Sequence, residues 1–313
     1  NAREVHAGAG RGDHRAGVRA SGAERAACFA LDAHRARARS DQAEDRRDHL
    51  PKAHRPFFSE TDLRPHKSQY WLTSPDKRDA PAEYQAAVEN ICNTYRDAPT
   101  LAAQGTHVVS TDEKTGMQAL QRLHETKPVR AGLVERVEFE DIRHGTLCLM
   151  ANFDVVTGRL ISPSIGPTRT EDAFVAHIEK TIDTDPEAAW IFVVDQLDTH
   201  RSAKLVELIA RRCGLEEDLG VKGKQGILKS KKTRKTFLED TSHRLRFVYT
   251  PRHCSWLNQV EIWFSILARR LLKRSSFTSL DDLKTRALQF IEYFNSVLAK
   301  PFRWTYTGRP LQA

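Results

Sequence analysis

The stretch Trp190–His200 (WIFVVDQLDTH) constrains the fold more than any other. Five apolar residues run without a break into an acid, and a turn follows. A run this short, rich in Ile and Val and closed by a turn, is expected to form a buried strand. Asp195 then stands at the carboxyl end of a central strand, where open α/β sheets place their chemistry. Taken alone, a role for Asp195 as a cap on the next helix, expected to start near Thr199, is an equal reading.

The rest of the chain supplies the sheet around that strand. Thr106–Asp112 repeats the design, apolar residues ending in an acid, with Glu113–Gly116 expected to turn the chain. An apolar run from His144 to Phe153, a turn at Asp154–Gly158 and the segment Arg159–Pro163 predict an antiparallel hairpin. Leu245–Thr250 predicts a last strand. Helices are expected over Ala82–Arg96, where Tyr84, Ala87, Val88, Ile91 and Tyr95 recur at three- and four-residue steps, from Thr170, from about His200 to Cys213, and over about 258–273 and 279–298. Pro75–Pro81 reads as a polar linker. Strands first, then alternating helix and strand, then helices predict an α/β fold: a mixed sheet flanked by helices.

Three charge features bear on partners. The chain of 313 residues carries a net charge of +8, which favours an anionic partner, nucleic acid first. Between Gly214 and Arg244 the alternation is interrupted, and Lys222, Lys224, Lys229, Lys231, Lys232, Arg234 and Lys235 occur with no acid among them. This reads as an inserted basic loop or subdomain that contacts DNA phosphates, against the plainer reading of a solvated surface loop. His66, Lys67, Tyr70 and Trp71 suit contact with a nucleic-acid backbone or docking of a linker on the next domain, equally. The five cysteines include no CxxC pair, which argues for reduced thiols and against a cysteine-built zinc site. No apolar run reaches the roughly 20 residues of a membrane span.

Residues 1–56 differ in texture, with Ala, Arg, His and Gly in excess and no apolar period. They are expected to be disordered or to be translated in a shifted frame, and the start at Asn1 leaves the chain open upstream. The expected organisation is an aberrant segment to residue 56, a linker with the remnant of a DNA-binding region over 57–100, a catalytic domain over 101–300 with the basic insertion at 214–244, and a tail over 301–313.

A third acid completes a constellation. After Pro251 ends its strand, a helix is expected from Asn258, with Glu261 in its first turn. Asn258 with Glu261 also fits a capping box in spirit. Asp112, Asp195 and Glu261 gathered at strand ends form a hard oxygen site suited to Mg²⁺ or Mn²⁺. Two such ions activate water or a 3′-hydroxyl on a phosphodiester, and they reconcile an acidic centre with a basic protein. His200 and His253 flank the site, as phosphate or carboxylate partners or as caps and core groups.

Ser110–Gly116 (STDEKTG), Val194–His200 (VDQLDTH) and Ser255–Ser265 (SWLNQVEIWFS) resemble the three signature blocks of bacterial insertion-sequence transposases of the mariner-type superfamily. Arg143–Thr146, Gly166–Thr170 and Lys300–Gly308 add to the resemblance, which runs from about Phe57 onward. It implies an RNase H-like fold, a DDE triad of Asp112, Asp195 and Glu261, two Mg²⁺ or Mn²⁺ ions, cleavage at inverted-repeat element ends, strand transfer into target DNA, a homodimer on paired ends, and work in the cytoplasm on the nucleoid. The family's N-terminal helix-turn-helix pattern is missing from residues 1–55, and Asp198 stands where Asn is expected. The alternative is an inactive, truncated or frameshifted remnant that at most binds DNA.

Overall fold

The computed structural model describes residues 73–308. The expectations for residues 1–56, for the aromatic and basic stretch up to Leu72 and for the last five residues lie outside them.

Strand β4 (Ala189–Val194) is the middle of the sheet's parallel part, and Trp190 to Val194 are all buried. It pairs in parallel with β1 (Thr106–Arg122) on one side and β5 (Leu245–Tyr249) on the other. β2 (Asp141–Asp154) joins β1 antiparallel, and β3 (Leu160–Gly166) joins β2 antiparallel, giving the order β3-β2-β1-β4-β5. This is the RNase H-like mixed sheet that was expected. A strand paired on both edges and covered on both faces has no side to show water, so its sequence is apolar throughout.

The two faces follow from strand alternation. Trp190, Phe192 and Val194 point into one core with Phe174, Ile178, Leu205, Ile209 and Phe247. That core is closed by α3 (Glu171–Ile182) and α4 (Ala203–Cys213). Trp190, Phe192 and Phe247 form a stack with ring separations of 5.9 and 5.1 Å. Ile191 and Val193 point the other way, onto Val88, Ile91, Tyr95 and Leu257. The helix expected over Ala82–Arg96 is therefore present as α2 (Pro81–Ala103), which packs on this face of the sheet. The polar linker before it carries a short helix, α1 (Pro75–Asp79), opened by a proline whose missing N–H costs nothing at that position.

Two expectations are corrected. β1 does not turn at Glu113–Gly116. It runs on to Arg122 because β2 continues to pair with it, and Gly116 (φ 69°) absorbs a register shift between Lys114 and Met117. The helix after Asp195 starts later than His200. A 3-10 turn (Asp198–Arg201) comes first, and Ser202 caps α4 by accepting from the Leu205 amide at 3.2 Å. Of the two forms expected for the basic interval, loop or subdomain, the structure has a helix in it, α5 (Lys231–Leu238), with a Ser230–Thr233 capping box.

The C-terminal helices are α6 (Val260–Leu267), continued by a π-helical turn (Ala268–Leu272), and α7 (Leu280–Tyr293). The chain then returns across the β2–β3 hairpin. Phe302 stacks on Phe153 at 4.6 Å, and a Cβ on Gly158 would lie 2.2 Å from the Lys300 carbonyl carbon, so only glycine fits that turn.

Candidate active site

The parallel pairing of β1 with β4 ends at Ser110 opposite Val193. Asp112 and Asp195 each lie two residues beyond that last pair, on adjacent strands. Both thus emerge at the carboxyl edge of the parallel strands, although Asp112 is not the end of its own strand. Glu261, in the first turn of α6, is half-buried and feels the charge of Asp195.

Each acid is held differently. The Asp112 carboxylate accepts from the Glu113 amide at 2.8 Å and from the Asn258 Nδ2 at 3.1 Å. Burial, and next the charge of Asp195, push Asp112 up to about 7. Asp195 accepts from the Leu197 amide at 2.8 Å and pairs with His200 Nδ1 at 2.8 Å. Burial opposes its charge, but His200 outweighs this and holds Asp195 below the usual carboxylate range. Burial also raises Glu261, Lys114 partly offsets that, and Asp195 raises it further. The charge of Asp195 is therefore felt at both other acids.

His200 is the part of the site that sequence reasoning left among the weak candidates. Its ring is fully buried against Phe174 at 4.3 Å, and its Nε2 meets Glu113 Oε1 at 3.1 Å. Burial alone would lower it, yet the two carboxylates raise it to about 10, so it is an imidazolium. Tyr249 fixes the turn by donating to the His200 carbonyl at 2.7 Å. Glu113 was missed altogether. The usable signal was strand alternation: one residue past Asp112, it must face the opposite side of the sheet, where His200 lies.

The cap reading of Asn258 is corrected as well. α6 starts after Gln259 without a side-chain cap, and the Asn258 side chain turns to β1 instead. His253, by contrast, is exposed on the turn after β5 in a left-handed conformation (φ 58°).

The expected DNA-contacting residues separate into three kinds. Arg234 is buried and donates to the carbonyls of Arg201 (2.7 Å) and Leu228 (2.9 Å), so it holds the insertion together rather than meeting phosphate. Lys231 pairs with Asp198 at 2.7 Å, Lys235 with Glu239 at 3.5 Å, and Lys222 stands 3.8 Å from Glu171. Lys224, Lys229 and Lys232 are exposed. Asp198, with its side chain two-thirds exposed, faces Lys231 and Arg201 rather than the acids.

Divalent ions fit the chemistry of the acids: hard carboxylate oxygens, with Asp112 lifted towards neutrality first by burial and then by the charge of Asp195, both of which a bound cation would offset. Among the described residues, no three His, Cys, Asp or Glu side chains stand together as a group that could hold a metal ion. Two of the nearby acidic groups, Asp195 and Glu113, are engaged by His200 instead.

Residues 107–284 match the family model described as DDE superfamily endonuclease, a span that includes Asp112, Asp195 and Glu261. No curated protein sequence matches the chain. Among solved structures, it is similar to the Mos1 strand transfer complex at 11% identity and a TM-score of 0.47, covering 91% of this chain and 74% of that one. The Mos1 paired-end complex with the left transposon end gives 11% and 0.43, covering 80% and 69%. The catalytic domain of Mos1 mariner transposase gives 10% and 0.39, covering 74% and 90%.

Proposed function

The chain belongs to the DDE superfamily endonuclease family, and on that premise we propose that it is a DNA transposase. It cuts at element ends and joins them to target DNA, with Asp112, Asp195 and Glu261 as its triad. The observation that carries this reading is the edge-of-sheet arrangement, in which Asp195 acts electrostatically on both of the other acids.

The three carboxylates would hold the Mg²⁺ or Mn²⁺ ions, two in number. When bound, these supply Lewis-acid polarisation of the phosphodiester and a nucleophilic oxygen at neutral pH. The chain's own residues do the rest. His200 bridges Asp195 and Glu113 and offsets part of their charge, so that Asp195 keeps a fixed carboxylate at the mouth of the site. Lys114 and Arg169, whose charges reach Glu261 and Asp195, stand where incoming phosphates need cations. Lys224, Lys229 and Lys232 track the duplex further out, helped by Lys222, Lys231 and Lys235 where their acidic partners release them.

The partners are double-stranded DNA, both inverted-repeat ends and target, and a second copy of the chain to pair two ends. The catalytic domain runs from α2 to the C-terminal helices. No described helix is long and apolar enough to cross a membrane, and we assign the protein to the cytoplasm and nucleoid.

The test is incubation of the chain with Mg²⁺ and DNA carrying the terminal repeats of its own element. Nicks at the element ends are expected. Asp195→Asn should slow them about a thousandfold or more, the several kcal/mol a metal-held charge contributes. Full cleavage by Asp195→Asn would sink the triad. Binding without cleavage by the unaltered chain would leave the remnant reading in its place.

A further inference from the structure

The link between the acids of β1 and α6 is itself not an acid. Asn258 is fully buried, and both ends of its amide are used. Its Nδ2 donates to the Thr111 carbonyl at 3.0 Å and to Asp112 Oδ2 at 3.1 Å. Its Oδ1 accepts from the Ser110 hydroxyl. That same Ser110 Oγ accepts from the backbone amide of Val260, the first residue of α6, at 2.8 Å. Tyr95, on α2, donates to the Leu257 carbonyl at 2.9 Å and pins the preceding turn.

The pattern ties three consecutive β1 residues, Ser110, Thr111 and Asp112, to the start of the helix that carries Glu261. It also orients Asp112. One carboxylate oxygen accepts from the Glu113 amide and the other from Asn258, so the plane of the group is fixed and its remaining lone pairs point one way. No other side chain of similar size offers two hydrogens and an acceptor at once except an amide: Asp lacks the hydrogens, Leu lacks both.

We propose that Asn258 is a positioning residue, one that locks the Asp112 carboxylate and the base of the Glu261 helix into a single unit so that the two acids meet a divalent cation in fixed geometry. This rests on the reading of Asp112 and Glu261 as cation ligands. A role in packing alone would lower stability but leave the cation affinity of the folded protein unchanged.

The experiment measures Mn²⁺ binding to the full chain by the electron paramagnetic resonance of free Mn²⁺, without DNA. Near-ultraviolet circular dichroism measures the folded fraction of each variant. Asn258→Ala is expected to weaken Mn²⁺ binding per folded molecule by about 10- to 100-fold, the usual effect of removing an outer partner of a ligand. Ser110→Ala keeps both Asn258 hydrogens but frees its oxygen, and a smaller loss in the same direction is expected. Unchanged Mn²⁺ affinity in folded Asn258→Ala overturns the proposal. Should that variant not fold, unchanged affinity in Ser110→Ala does so. Asp112→Asn separates the two levels. If it loses Mn²⁺ while Asn258→Ala keeps it, positioning fails and the cation site stands. If it binds Mn²⁺ as the unaltered chain does, the cation site fails and positioning falls with it.

Discussion

Two histidines lie buried on the same face of the sheet and behave oppositely. His177, on α3, is buried among neutral partners: Asn152 Nδ2 at 2.8 Å and Ser164 Oγ at 2.9 Å. His200 is equally buried but sits between Asp195 and Glu113. Burial pushes His177 down to about 3, with the charges of Lys180 and His200 adding to it, and it is neutral. The same burial acts on His200 and is overcome, to about 10. The difference teaches that burial here sets no charge by itself. The partners do, and the strand positions of those partners are set by sequence. Asn152 lies opposite Thr111 in the β1–β2 register, whereas Glu113 lies two residues further along β1, at the acidic edge.

The largest expected effect comes from breaking the charged member. His200→Ala leaves Glu113, whose side chain is 1% exposed, as an unpaired buried charge. Removing one partner of a buried pair costs about 3–5 kcal/mol, with most of it from Glu113 because Asp195 is partly exposed. Denaturant titration of the variant checks this. A loss no larger than that of a surface substitution would mean that Glu113 reaches water or takes a proton.

Breaking the neutral member should cost less. His177→Leu leaves Asn152 and Ser164 short of a partner each, and Thr181 still accepts from Asn152 at 2.7 Å. The expected loss is about 1–3 kcal/mol, with no change in charge and none in cleavage once folding is matched. The Thr111 hydroxyl donates to Asn152 Oδ1 at 2.6 Å, and a drop in cleavage per folded molecule would show that this bond reaches Asp112 along β1.

Acid titration sharpens the comparison. The folded-state value of His177, about 3, lies below its ordinary 6.5. Between these values the unfolded chain holds the extra proton. The stability from a neutral His177 is thus complete above pH 6.5 and is lost as pH falls towards 3, at up to about 1.4 kcal/mol per pH unit. His177→Gln should flatten the acid limb of a stability–pH profile by one proton's slope. Parallel profiles would show that His177 is protonated in the fold.

The legible and illegible parts of the chain divide along the same line. Trp190–Val194 could be read as a central strand because a strand buried on both faces must be apolar at every step. The acids at its edge could be read because charge at the end of such a run has no packing role to explain it. The hairpin, α3 and the late helices followed from period and turn residues. The continuation of β1 past Asp112 was hidden, because Glu113, Lys114 and Gly116 look like a turn and only pairing with β2 makes them strand. Glu113–His200 and Asn258–Asp112 were hidden for a different reason. They join residues 87 and 146 positions apart, and no local pattern distinguishes a histidine or asparagine with such a partner from one that caps a helix.

The basic insertion repeats the comparison with cations, and its exposed lysines carry the smallest expected effect on stability. Arg234 is buried on two carbonyls, while Lys224, Lys229 and Lys232 are exposed. If partners again decide the role, the two groups should separate cleanly in two measurements. Changing the three lysines to alanine should leave stability within about 0.5 kcal/mol, because surface side chains without packing contribute little. It should instead lower the slope of log binding constant against log salt by about 0.9 for each lysine that meets a phosphate. Arg234→Ala should do the reverse, loosening the insertion with a loss of about 1–3 kcal/mol, chiefly at the Arg201 carbonyl because the Leu228 carbonyl still accepts from the Gly223 amide at 3.4 Å, while the salt slope per folded molecule stays the same. A steeper loss of DNA affinity for Arg234→Ala at matched folding would mean that its guanidinium turns outward to the duplex. The insertion would then have to rearrange on binding, since the inward bonds and a phosphate contact cannot share the same donors.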